Sequence, residues 1–119
     1  MNKVLVNEKW MYQALKEAKK ALELDEVPIG AAIINNDMII GRGYNQVESL
    51  KDATAHAEIL AITSSANKID NWRLNESSLY VTKEPCLMCL GAILNSRIKK
   101  LYYGFSDNEN GFSNKVIVA

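Results

Sequence analysis

The sequence predicts an α/β fold, a layered sheet of mixed parallel and antiparallel strands with helices packed on it. Three observations lead there. An amphipathic segment opens the chain, two short apolar runs divided by a polar turn follow, and beyond them apolar strands alternate with helical segments. A helix between two strands implies a parallel crossover and a polar turn implies an antiparallel hairpin, so one sheet holds both pairings.

In chain order, residues 9–24 read as the first helix. Trp10, Ala14, Ala18, Ala21 and Leu22 recur at three- and four-residue spacing, joined by Met11 and Leu15, while Lys16, Lys19, Lys20 and Glu23 point elsewhere. Asn7 is its expected N-cap, and Pro28 disfavours helical geometry at Val27. "IGAAIIN" and "MIIGRGY", separated by Asn35-Asn36-Asp37, read as a hairpin with a tight turn. Gly30, Gly41 and Gly43 within those strands are expected to permit close backbone approaches or bulges. A polar loop at 45–53 leads to a second helix over about 55–67, carried by Ile59, Leu60, Ile62 and Thr63. "SSLYVTKE" is a short buried strand, and "CLMCLGAILNSR" after Pro85 a third helix with Leu90, Ile93 and Leu94 facing the core. "KLYYGF" is a further strand and "KVIVA" a last one.

Composition narrows the function classes. At 119 residues and 48% apolar, the chain suits one core, and it is too apolar for intrinsic disorder. Fourteen basic and fourteen acidic side chains cancel, which excludes a strongly basic, nucleic-acid-coating surface but not a local patch. No glycine-rich fingerprint follows the first strand and no Walker-type loop occurs, so dinucleotide and P-loop chemistry are set aside. No run approaches the roughly 20 apolar residues of a membrane span. The charged N-terminal segment lacks an apolar signal core, and two cysteines are too few for a disulfide framework. A cytoplasmic protein is expected.

The chemistry-bearing residues are few and close in pattern. The one histidine, His56, stands in "TAHAE", and thirty residues later "EPCLMC" carries Cys86 and Cys89. Both cysteines fall in the first turn of a helix, on one face, where the helix N-terminus is expected to favour the thiolate that a metal needs. One nitrogen and two sulfurs leave a fourth tetrahedral position for water, the pattern of a catalytic rather than a structural zinc. Glu58, two residues after His56, is placed to move protons beside that water. Two other readings of these residues stay open: a thioredoxin-like redox pair, and a closed structural zinc with Glu58 or Asp52 as fourth ligand.

The HxE…PCxxC pattern is that of the zinc deaminases of nucleobases. The strings "VPIGAAI", "GRGYN", "DATAHAE", "NWRL" and "SLYVTKEPCLMCLGAILNSRIKKLYYG", with Asp107 after them, resemble the bacterial tRNA-specific adenosine deaminases over essentially the whole chain. The resemblance implies a cytidine-deaminase-like three-layer α-β-α fold, with a mixed sheet of about five strands in a single deaminase domain over 1–119. It implies hydrolytic conversion of adenosine to inosine in RNA, at the wobble position of a tRNA anticodon. His56, Cys86 and Cys89 would hold one zinc ion and Glu58 would shuttle protons. Asn45 would hold the target nucleoside, the Ala57 N–H would contact the base, and Val27, Pro28 and Ile29 would form its apolar wall. Glu84 would add backbone contacts, and Asp107 would lie near a neighbouring nucleotide. Relatives act as homodimers on the tRNA anticodon stem-loop, and no membrane is involved.

The sequence also departs from the family. Ala53 replaces the usual proline, the stretch "SDNENGFSN" is short with Glu109 where a basic residue is common, and the C-terminal helix is expected to be absent. Weaker RNA grip follows, with Arg42, Lys51, Lys99, Lys100 and Lys115 left as candidates for phosphate contacts. Deamination of a free base such as guanine or cytosine, and a catalytically impaired zinc-binding scaffold, are the alternative functions.

Overall fold

The computed structural model describes residues 3–114, with side chains from Glu8 onward. Its elements are α1 (Lys3–Glu23), β1 (Gly30–Asn35), β2 (Met38–Tyr44), the single turn α2 (Val47–Leu50), α3 (Ala57–Ile69), β3 (Ser78–Lys83), α4 (Leu87–Asn95) and β4 (Lys100–Phe105), then a 3₁₀ turn at Phe112–Asn114. The hairpin turn is as tight as the sequence suggests. Asn36 (φ 51°) and Asp37 (φ 61°) both take the left-handed conformation that a two-residue turn between twisted antiparallel strands requires.

Among the described residues the sheet has four strands in the order β2-β1-β3-β4. β1 runs antiparallel to β2 and β3, and β3 pairs with β4 in parallel through α4. The expected fifth strand, 115–119, lies outside the described residues.

Alternate residues of β1 serve opposite faces of the sheet. Ala31 and Ile33 join Ala57, Ala61, Leu79, Val81 and Ile93 on one side, while Ala32 and Ile34 join Trp10, Ala14 and Tyr80 on the other. Helix α1 thus covers one face and α3 with α4 the other, giving three layers. Burial on both faces is why these strands read as nearly continuous apolar runs.

Small residues set how closely the helices sit. A Cβ at Gly30 would strike the backbone of Ala14 and Ala18, and one at Gly43 would strike the backbone of Ala57 and Ala61. This close seating explains three departures from the expected pattern. In α1 the buried stripe is Trp10, Ala14, Glu17, Ala18 and Ala21, whereas Leu15 and Leu22 are exposed because no bulky side chain fits the seam. In α3, which spans 57–69 rather than 55–67, the inward residues are Ala57, Ala61 and Ser65; Ile59, Leu60 and Ile62 are half-buried flanks and Thr63 is exposed. In α4, Cys89 and Ile93 face inward while Leu94 is 62% exposed, because it lies about 140° round the helix from Cys89.

Two boundaries also move. α1 begins at Lys3, so Asn7 is an interior helical residue and not its cap; no proline or glycine upstream halts the helix there. The expected loop at 45–53 contains α2. Gly43→Ala should be among the costliest single-methyl additions, because its neighbours are helix backbone that cannot rotate away. A loss of about 3 kcal/mol is expected in urea unfolding; an unchanged midpoint would contradict the seam.

Candidate metal centre

The N-terminal ends of α3 and α4 meet beyond the C-terminal end of β3. His56 is the N-cap of α3 and Cys86 the N-cap of α4, both with extended backbone and neither bonding its own helix through its side chain. Their side chains are therefore free to face each other. His56 Nδ1 lies 3.6 Å from Cys86 Sγ and 3.5 Å from Cys89 Sγ. A tetrahedral zinc bonded to nitrogen at about 2.0–2.1 Å and sulfur at about 2.3 Å sets an N···S edge of about 3.6 Å. The donor set fits one zinc-sized ion. Among the described residues it is the one grouping of three such side chains whose ligand atoms converge, all within 4.8 Å of one another.

Glu58 stands beside this cluster, 4% exposed. Burial pushes its carboxyl above the usual carboxylate range, an effect partly offset by hydrogen bonds from its own N–H and from the Cys89 thiol. The Cys89 thiol is also pushed up, first by burial and then by the nearby Glu58 and Cys86. At Cys89 burial and the adjacent Glu58 and Cys86 act against the helix dipole. Acidic donors crowded where charge is costly form a set that a divalent cation stabilises.

The cluster forms part of the wall of a cavity of about 600 Å³. Asn45, at the end of β2, lines it and is buried. Its Oδ1 accepts the Ala57 N–H at 2.8 Å, which fixes the amide's orientation, because an N–H demands the oxygen. The N–H that the resemblance aims at the base is thus committed to Asn45, and the Nδ2 end of the amide is left as a donor. Val27 and Ile29 line the cavity, whereas Pro28 is exposed and is not part of its lining.

Two buried glutamates shape the rim. The Glu84 carboxylate, 4% exposed, accepts the Asp107 N–H (3.1 Å), the Ser113 N–H (2.8 Å) and the Ser113 hydroxyl (2.6 Å). Glu26 was not anticipated. Its carboxylate accepts the N–H groups of Glu48 (3.0 Å) and Ser49 (2.6 Å), anchoring α2 at the cavity wall. Nothing in local spacing announces either role, because each bridges more than twenty residues.

Asp107 lines the cavity near Asn110 and pairs with Lys83 at 3.1 Å. N–H bonds from Asn110 and Glu109, with Lys83, hold its carboxyl down at about 2. Of the candidate phosphate contacts, Arg42, Lys51 and Lys100 are exposed, Lys99 pairs with Glu76 at 3.0 Å, and Lys115 lies outside the described residues. No described helix is long and apolar enough to cross a membrane.

Comparison with known proteins places this geometry. The model of the MafB19-like deaminase family matches residues 6–119. The chain is 49% identical over 112 residues to the tRNA-specific adenosine deaminase of Buchnera aphidicola, covering 92% of this chain and 74% of that protein. It is 50% identical over 99 residues to the chloroplastic tRNA(adenine(34)) deaminase of Arabidopsis thaliana, 83% of this chain but only 8% of the much longer plant protein. A structure solved in work on A-to-I editing by tRNA:A34 deaminases superposes with TM-score 0.85 at 45% identity, over 87% of this chain and 80% of the other. The guanine deaminase of Bacillus subtilis superposes at 0.81 with 34% identity, over 89% and 66%.

Proposed function

The chain belongs to the MafB19-like deaminase family, among the tRNA-specific adenosine deaminases of the zinc deaminase superfamily, and on that premise we propose that it hydrolyses adenosine to inosine at the wobble position of a tRNA anticodon. The observation that carries the reading is the convergence of His56, Cys86 and Cys89 beside a buried Glu58 on one cavity.

In this reading His56 Nδ1 and the two Sγ atoms hold one zinc ion. When bound, zinc polarises a water molecule enough for attack at neutral pH. Glu58 takes one proton of the attacking water as its oxygen bonds to C6 of adenine and gives it to N1; it then takes the second from the new C6 hydroxyl and gives it to the departing amine. Water and adenosine thereby give inosine and ammonia, and the balance closes without an oxidant or reductant. Burial suits Glu58 to both halves of this transfer, since a raised pKa makes its carboxylate a better base for the water proton and brings the group closer to the working pH, where both protonation states serve. Asn45, oriented by the Ala57 N–H, presents Nδ2 to an acceptor of the nucleoside, and Val27 and Ile29 pack against the base. Asp107 and Asn110 border the space where a neighbouring nucleotide would lie.

The test is an anticodon stem-loop RNA bearing adenosine at the wobble position. Inosine is expected with zinc bound at one ion per chain. Zinc-loaded protein that leaves the RNA unchanged would refute the reading. The likeness to guanine deaminase supports a second reading, hydrolysis of a free base; ammonia release from guanine with no reaction on RNA would favour it.

A homodimer goes with the first reading. On α4, Leu87, Met88 and Leu94 are exposed on the side opposite Cys89 and Ile93, an apolar stripe suited to a second copy of the chain. Sedimentation should give twice the mass of one chain, and a single-chain mass would overturn it. Cytoplasmic location is also part of this proposal, because unpaired thiols acting as metal ligands need a reducing compartment.

A further inference from the structure

The three residues preceding Cys86 all hold the segment 106–114. Lys83 Nζ pairs with the Asp107 carboxylate at 3.1 Å. Glu84 accepts from Asp107 N–H through Oε1 and from both the N–H and hydroxyl of Ser113 through Oε2. The Pro85 carbonyl accepts the Phe112 N–H at 2.9 Å. The segment is folded further on itself: Asp107 Oδ1 takes the N–H groups of Glu109 and Asn110 at 3.0 Å each, and its carbonyl takes Gly111 N–H. Asp107 and Asn110 then stand at the cavity wall.

We propose that Glu84 is a positioning residue whose buried carboxylate straps 106–114 against the cavity, so that it sets the affinity for the nucleotide substrate and leaves the chemical step alone. The inference rests on the deaminase reading above. A buried carboxylate serving three donors from both ends of one loop has no acceptor of that kind left for substrate, and its partners are Asp107 and Ser113 rather than Glu58 or the metal ligands. Both oxygens act only as acceptors. An amide in the same place must put an NH₂ against either Asp107 N–H or the Ser113 pair, which releases one end of the strap.

Glu84→Gln is therefore expected to bind zinc at one ion per chain and to keep kcat within about threefold, while KM rises about tenfold or more, as loss of a charge-assisted bond implies. Amide exchange at Asp107 and Ser113 should speed up in the same variant. Ser113→Ala, at an exposed position that cannot compromise the core, should raise KM by a smaller factor. The split between KM and kcat separates positioning from general damage, which lowers kcat and zinc content together. Strap amides that stay protected in Glu84→Gln, or a loosened strap with unchanged KM on the substrate that the wild type turns over, would overturn the inference. A wild-type chain that deaminated nothing would instead overturn the deaminase reading, and the exchange and zinc measurements tell that failure apart.

Discussion

Glu58→Gln should abolish turnover while the protein keeps its zinc and its fold. The substitution preserves volume and removes only the group that accepts and returns protons. General acid–base catalysis contributes roughly 10²–10⁴-fold, and here one carboxyl serves both directions of transfer, so a loss at the upper end of that range is expected. Burial of Glu58 beside Cys89 gives the control its force. Gln removes a carboxylate that charge repulsion sets against the Cys89 thiolate, so metal retention should be undiminished. Inosine formation measured with zinc content on the same samples decides it; residual turnover above a tenth of wild type would remove Glu58 from the proton path.

Cys89→Ser should have the second largest effect, through the metal. Cys89 is fully buried, and its thiolate is the donor that only a cation makes affordable there. Loss of partners one shell further out costs about 10–100-fold in metal affinity, so loss of a direct ligand should exceed that and leave the purified chain nearly metal-free. Chelation of wild type should reproduce the same inactivity, and one equivalent of zinc should reverse it in the wild type alone. A serine variant that retained full zinc would exclude Cys89 from the ligand set.

What the sequence discloses and what it hides divides along physical lines. His56, Glu58, Cys86 and Cys89 are legible because a donor atom is a matter of residue type, and their spacing around two helix starts fixes their direction. The hairpin is legible because Asn36 and Asp37 carry their turn conformation locally. The helix faces are less so. Leu15, Leu22 and Leu94 have the hydrophobicity of core residues, yet close Ala–Gly seating and the phase set by Cys89 turn them outward. Glu26 and Glu84 are hidden for another reason: each is a surface-type residue buried by backbone donors more than twenty positions away. The Asn45–Ala57 bond belongs with these, since the Ala57 N–H answers to a side chain across a loop and not to anything adjacent.

The seams at Gly30 and Gly43 also bear on how such a molecule can diversify. Where helix backbone rests directly on strand backbone, no substitution can add volume without displacing α1 at Gly30, or α3 and with it His56 at Gly43, so variation there is closed off. The α2 turn and the strap at 106–114 are held largely by the side-chain carboxylates of Glu26 and Glu84 and carry exposed residues. New substrate preferences should accumulate in those two rims, around a ligand set that stays constant because its scaffold has no room to drift.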